Sequence, residues 1–202
     1  VRKFLSVSLA KRLFGVASNE ALNATRNALK DIDCKKTPFK LDLFSEITLT
    51  GGRKFIVSEA DIDFWLDTYE KGPNTYIILS LLYPDLKLSQ VSFHQDHCHP
   101  YISFESQNLQ HIHIPKDKIE NWQKKRNLLP NLQFLEGAEN ESKNKTPLKD
   151  WVAQGHDFAY HPAGVSLELA DFDVFFEERR KLIKEKLINI FEISNKYRER
   201  IS

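Results

Sequence analysis

The sequence predicts an α+β fold that is mainly helical, a helical bundle surrounding one small ββα unit. Three observations predict it. Apolar residues recur at helical spacing through both ends of the chain; two short strand-like stretches in the middle bracket a polar excursion and lead into a short polar helix; and 202 residues at 41% hydrophobic content suffice to bury a core. There is no internal repeat and no low-complexity tract.

Taken in order, residues 2–14 place Phe4, Leu5, Leu9 and Leu13 at helical spacing and stop at Gly15. The segment SNEALNATRNALKD reads as a second helix capped by Ser18. Gly51 and Gly52 mark a turn or short hairpin. Ser58 and Asp61 have capping-box-like spacing ahead of Ile62, Trp65, Leu66 and Tyr69, so SEADIDFWLDTY is a helix. The stretch NTYIILSLLYP reads as a buried helix stopped by Pro84. LSQVSFHQDHC alternates as a strand, NLQFLEG is a second strand closed by Gly137, and AENESKNK is a short polar helix. The excursion over 101–130 is loop and helix, so the two strands must meet across it as an antiparallel pair. A long closing helix carries Phe172, Phe175, Phe176, Leu182, Ile183, Leu187 and Phe191 on one stripe.

Composition narrows the class. No apolar run reaches the ~18 residues of a membrane helix, and the amino terminus lacks a signal-peptide pattern, so the cytoplasm is the expected location and no membrane partner is expected. Cys34 and Cys98 form no CxxC pair, which supports neither a disulfide framework nor a cysteine-rich zinc site. Net charge is +1, yet residues 1–40 hold nine Lys/Arg against three Asp/Glu and 41–86 hold three against eight. PKDKIENWQKKR adds five basic residues against two acidic ones, either a local basic surface or a solvated helix face. The absence of methionine and the helical start at Val1 suggest part of a longer protein.

Seven histidines occur in all, and FHQDHCHP gathers His94, His97 and His99 with Asp96 into eight residues. On a strand, His97 and His99 share one face and Asp96 takes the other, unless the strand ends or bulges before Pro100. A zinc cage from His94, His97 and His99, with His111 or His113, requires these side chains to converge on one ion at about 2 Å. The bland reading is that His94, His99, His111, His113, His156 and His161 are packed or hydrogen-bonded residues.

DHCHP followed by LPNLQFLEGAENESK resembles the HNH, or His-Me finger, nuclease motif. The matching residues are Asp96 and His97 at the end of the first strand, Asn131 after the connecting excursion, and Asn140 with Lys143 on the helix. The flanking runs ILSLLYPDLKLSQVSFHQDHCHP, PLKDWV and FDVFFEERRKLIKEKL look like the carboxy-terminal half of GmrSD-type restriction proteins, modification-dependent bacterial anti-phage endonucleases. The resemblance implies one carboxy-terminal nuclease domain over 1–202, with a helical subregion at 1–89, a ββα-metal core with insertion at 90–150, and a closing helical segment at 151–202. It also implies a ParB-like nucleotidase partner domain, absent from this sequence, and modified double-stranded DNA as substrate. One departure is Cys98 and then His99 after His97, where an aliphatic residue commonly follows the histidine. Cys98 reads as a small buried residue that, with His99, keeps a transition-metal site in view.

The resemblance assigns roles that chemistry supports. His97 would accept a proton from water. Asp96 and the Asn140 side-chain oxygen would hold one Mg2+, with Mn2+ also acceptable, stabilising the departing 3′ oxygen and leaving a 5′ phosphate. Asn131 would orient the His97 ring or brace the loop, and Lys143 would contact phosphate or balance local charge; Asn127 and Asn144 compete for the two asparagine roles. The alternatives are a degenerate HNH-fold DNA-binding module and a zinc-stabilised interaction domain.

Overall fold

The computed structural model describes residues 2–15, 18–33, 36, 39–86 and 90–193. Cys34, the first residues of the expected first strand at 88–89, and the end of the expected closing helix at 194–201 lie outside them. The chain is mainly helical with two small antiparallel sheets. It divides into two compact units, 1–62 with 188–202, and 63–187. The divisions fall inside helices.

The first unit contains α1 (Arg2–Ala10), α2 (Ser18–Leu29), and a hairpin of β1 (Thr48–Leu49) and β2 (Arg53–Lys54). Gly51 and Gly52 turn that hairpin at φ 77° and 74°, a region glycine enters without a Cβ clash. α1 ends earlier than its spacing suggests. Arg12 adopts φ 51°, breaking the helix, and Val7 and Ala10 face inward while Leu5 and Leu9 stay exposed. Phe4 gathers Phe14, Phe39, Phe44 and Phe55 around it at centroid distances of 5.0–6.4 Å. Three of these contacts are tilted or edge-on and the Phe4–Phe55 pair is stacked, geometries at centroid distances that suit the ring quadrupole. The expected capping box is present: Ser58 N–H and Oγ–H donate to Asp61 Oδ2 at 2.8 and 2.7 Å, and Asp61 N–H donates to Ser58 Oγ at 3.2 Å. It opens α3 (Glu59–Thr68), and Lys11 adds an ion pair to Asp61 at 2.5 Å.

The second unit holds the rest of α3, α4 (Pro73–Leu82), β3 (Phe93–His97), α5 (Ser106–His111), α6 (Lys116–Lys125), β4 (Leu132–Glu136), α7 (Gly137–Lys143), α8 (Leu148–Ala153) and most of α9 (Phe172–Phe191). Pro73 at the first turn suits α4, and Thr75, Ile78, Leu79 and Leu82 form its buried stripe. β3 and β4 pair antiparallel, with Asp96 opposite Gln133 and His97 opposite Leu132. Phe93, Gln95 and Phe134 share one face, where the Phe134 ring meets Tyr76 of α4 at 4.8 Å. The segment between the strands is not slack loop. A 3-10 turn at Tyr101–Phe104, α5 and α6 bury Phe104, Leu109, Ile119 and Trp122 against Phe172, Phe175 and Phe176 of α9. Trp122 Nε1–H donates to Asp173 at 2.9 Å, fixing α6 on α9.

Candidate active site

The ββα unit forms because β4 runs straight into α7, and α7 lies along β3. A Cβ added to Gly137 would stand 3.7 Å from His94 Nε2, and Lys143 Nζ reaches Asp96 Oδ2 at 2.8 Å. Asn140 lies on α7 three residues from each of these two contacts and is half-buried. Asn144, at φ 42°, ends the helix just beyond Lys143.

Lys143 is 0% exposed, and its ammonium also donates to the His97 carbonyl at 2.6 Å. A buried cation needs such partners, because its charge cannot turn to water. Its expected contact with phosphate meets an ammonium already committed to the end of β3. Gln133 Nε2–H donates to the same Asp96 oxygen at 3.1 Å. Asp96 Oδ1 has no hydrogen-bond partner among the described residues, and the side chain keeps 13% exposure. One carboxylate oxygen is anchored and the other is left open.

β3 ends at His97, and there the alternation breaks. The His97 ring lies edge-on to Tyr101 at 5.6 Å, while the His99 ring lies between Phe172 and Phe175 at 5.6 and 4.6 Å. His97 Nε2 lies 3.1 Å from Asn127 Oδ1, and the tautomer that donates to that oxygen carries its proton on Nε2 and its lone pair on Nδ1. Burial is the main cause holding His97 below its ordinary imidazole pKa, with Asn127 opposing and Lys71 and Lys143 assisting. A neutral ring at neutral pH is the form that accepts a proton. His99 is pushed down to about 3, chiefly by burial.

Asn131 is fully buried and does not touch the His97 ring. Its Oδ1 accepts from His99 N–H at 3.0 Å, and its Nδ2 donates to the carbonyls of His99 and Arg126 at 3.2 and 2.9 Å. Its backbone carbonyl accepts from Cys98 N–H at 2.8 Å. Of the two roles weighed for Asn131, the contacts are those of the loop brace, and Asn127 partners the ring. A second brace comes from α9. Arg179, 0% exposed, donates to the carbonyls of Pro130, Leu132 and Ala159. Asn127 stood in the sequence only as a competitor of Asn131, and Arg179 did not stand out as a site residue. Arg179 carried one clue, a charge placed on an otherwise apolar helical stripe between Phe175 and Ile183.

The histidines do not gather. His94 is exposed beside Gly137, His97 and His99 part at the strand end, His156 stacks on Trp151, and His161 stacks on Phe158. Among the described residues, no group of three or more His, Cys, Asp or Glu is placed to hold a metal ion. Cys98 is buried in the core with Phe104 and Phe172. The open oxygen of Asp96 and the side-chain oxygen of half-buried Asn140, which has no side-chain partner among the described residues, are hard donors on β3 and on the helix that follows β4. That donor set fits a hydrated oxygen-preferring cation better than a closed zinc cage. Among the described residues, no helix is long and apolar enough to cross a membrane.

Comparison of the chain with protein-family models and with curated proteins gives no match.

Proposed function

We propose that the ββα unit is a metal-dependent DNA endonuclease site that hydrolyses phosphodiesters by nicking. The observation that carries the reading is the pair at the end of β3: a buried, neutral His97 with its Nδ1 lone pair free, next to an Asp96 carboxylate with one oxygen held and one open. Phosphodiester hydrolysis needs an activated water and neutralisation of the leaving oxygen. His97 Nδ1 takes the proton from the water, and Asn127 holds the ring in the required tautomer. Asp96 and Asn140 would hold Mg2+ or Mn2+, which supplies charge stabilisation at the departing 3′ oxygen. Lys143 pairs with Asp96 and ties α7 to the strand end; Asn131 and Arg179 fix the turn between His97 and β4.

The resemblance to GmrSD-type proteins extends the proposal to modified double-stranded DNA as substrate, with control by a ParB-like nucleotidase domain in a longer protein. A second reading has one observation in its favour. Lys143 already neutralises Asp96, which weakens any cation placed there and suits a fold that binds DNA without cutting it. Nicking of supercoiled plasmid in Mg2+ or Mn2+ separates the two. Wild type is expected to nick and both His97→Ala and Asn140→Ala to lose nicking; binding of duplex without cutting in either metal favours the second reading.

A further inference from the structure

Outside the ββα unit, the cations of the second unit are mostly spoken for. Arg180 pairs with Asp63 and Asp67, Lys184 with Asp63, Lys118 with Asp173, and Lys125 with Asp173 and Glu177. Two cations beside His97 differ. Arg126 and Lys71 have no carboxylate within ion-pair distance among the described residues. They are brought together by backbone: Lys71 N–H donates to the Asn127 carbonyl at 3.0 Å, Glu70 bridges to Leu128, and the Asn127 side chain holds the His97 ring.

Arg126 is not loose. Its guanidinium lies 3.7 Å over the centre of the Tyr101 ring, and Nη2 donates to the Tyr101 hydroxyl at 2.5 Å. Tyr101 in turn lies 5.6 Å from the His97 ring and is 46% exposed. The carbonyl of Arg126 is fixed from behind by Asn131. A guanidinium held over an aromatic ring loses less entropy on binding than a free side chain, and its donors not spent on the Tyr101 hydroxyl can reach a phosphate oxygen. Lys143 cannot do this work, being buried against Asp96.

We propose that Arg126, laid on Tyr101, and Lys71 form the phosphodiester seat that places the nucleic-acid backbone beside His97. The inference rests on the nuclease reading for its purpose, and its geometry stands without it. Tyr101 holds the guanidinium in place, and Lys71 adds a point charge from the turn between α3 and α4.

The test is metal-free binding of a fluorescein-labelled DNA duplex to the full chain at several salt concentrations, with nicking measured on the same preparations. Arg126→Gln and Lys71→Gln should each weaken binding by about fivefold to tenfold at low salt and lower the slope of log affinity against log salt by about one. Arg126→Lys should keep the slope while losing part of the affinity, and Tyr101→Ala should lose affinity with the slope intact. Thermal melting identifies any variant that has merely unfolded, in which case Arg126→Lys and Lys71→Gln decide. Unchanged affinity and slope in Arg126→Gln and Lys71→Gln, with nicking that still depends on His97, overturn the seat and leave the nuclease reading standing. Reduced slopes in a protein that never cuts support the seat and sink the nuclease reading. Absence of duplex binding by the wild type at low salt overturns the seat.

Discussion

The interior of the first unit is aromatic, with Phe4, Phe14, Phe44 and Phe55 in mutual ring contact and Ser8 its one buried polar side chain among the described residues. The second unit buries Thr75, His97, His99, Asn131, Gln133, Lys143 and Arg179. Five of these seven lie between His97 and Lys143, in the ββα unit and its excursion. Apolar packing alone is the cheaper way to stabilise a core, since every buried polar atom needs a partner or costs free energy. The partners here converge on two objects, the end of β3 and the turn before β4. Those partners hold His97 and Asp96 in one geometry.

The contrast can be broken most severely at Lys143. Lys143→Met leaves Asp96 without its cation and should lower stability in urea by roughly 3–5 kcal/mol, the cost of leaving a buried charge unpaired. Asp96→Asn combined with Lys143→Met should cost clearly less than Lys143→Met alone. Arg179→Met, which strands the carbonyls of Pro130 and Leu132, should cost about 2–3 kcal/mol by the same denaturation and should reduce nicking in the fraction that stays folded.

Acid sharpens the contrast next. His99 is depressed to about 3 and His97 is also depressed, so the unfolded chain binds more protons below its ordinary imidazole range. The stabilisation from keeping these rings neutral is complete above about pH 6.5 and is lost as pH falls, on the order of 2 kcal/mol for His99 alone by pH 5. Urea melts of wild type and His99→Leu across that range should converge in slope only above it. The smallest effect belongs to the first unit: Phe55→Leu should cost about 1 kcal/mol, as a nearly size-conserving apolar swap does, and leave nicking per folded molecule unchanged.

Much of this was legible locally. The Ser58 and Asp61 capping box, the Gly51–Gly52 hairpin, the α4 helix ending before Pro84 and the strand, excursion, strand, helix order each follow from residues a few positions apart. What was hidden depends on contacts distant in sequence. Leu5 and Leu9 satisfy a helical period as well as Val7 and Ala10 do, and only the neighbouring phenylalanines decide which edge turns inward. The motif points to Asn131 beside His97 with Asn127 as its competitor, until α6 and the 3-10 turn bring Asn127 to the ring and Asn131 to the backbone behind it. Lys143 looked available for phosphate because its spacing with Asn140 gives the helix face, and spacing carries no information on what lies above that face. The crowd of histidines in FHQDHCHP separates for a similar reason, since β3 stops at His97 and the next ring is drawn into the α9 aromatics.

The central claim is that His97 is the base, and chemical rescue tests it most directly. His97→Ala should lose nicking of supercoiled plasmid in Mg2+ and regain part of it when imidazole is added, with the recovered rate following the concentration of the unprotonated imidazole. A His97→Ala protein that nicks at the wild-type rate without imidazole would contradict the account.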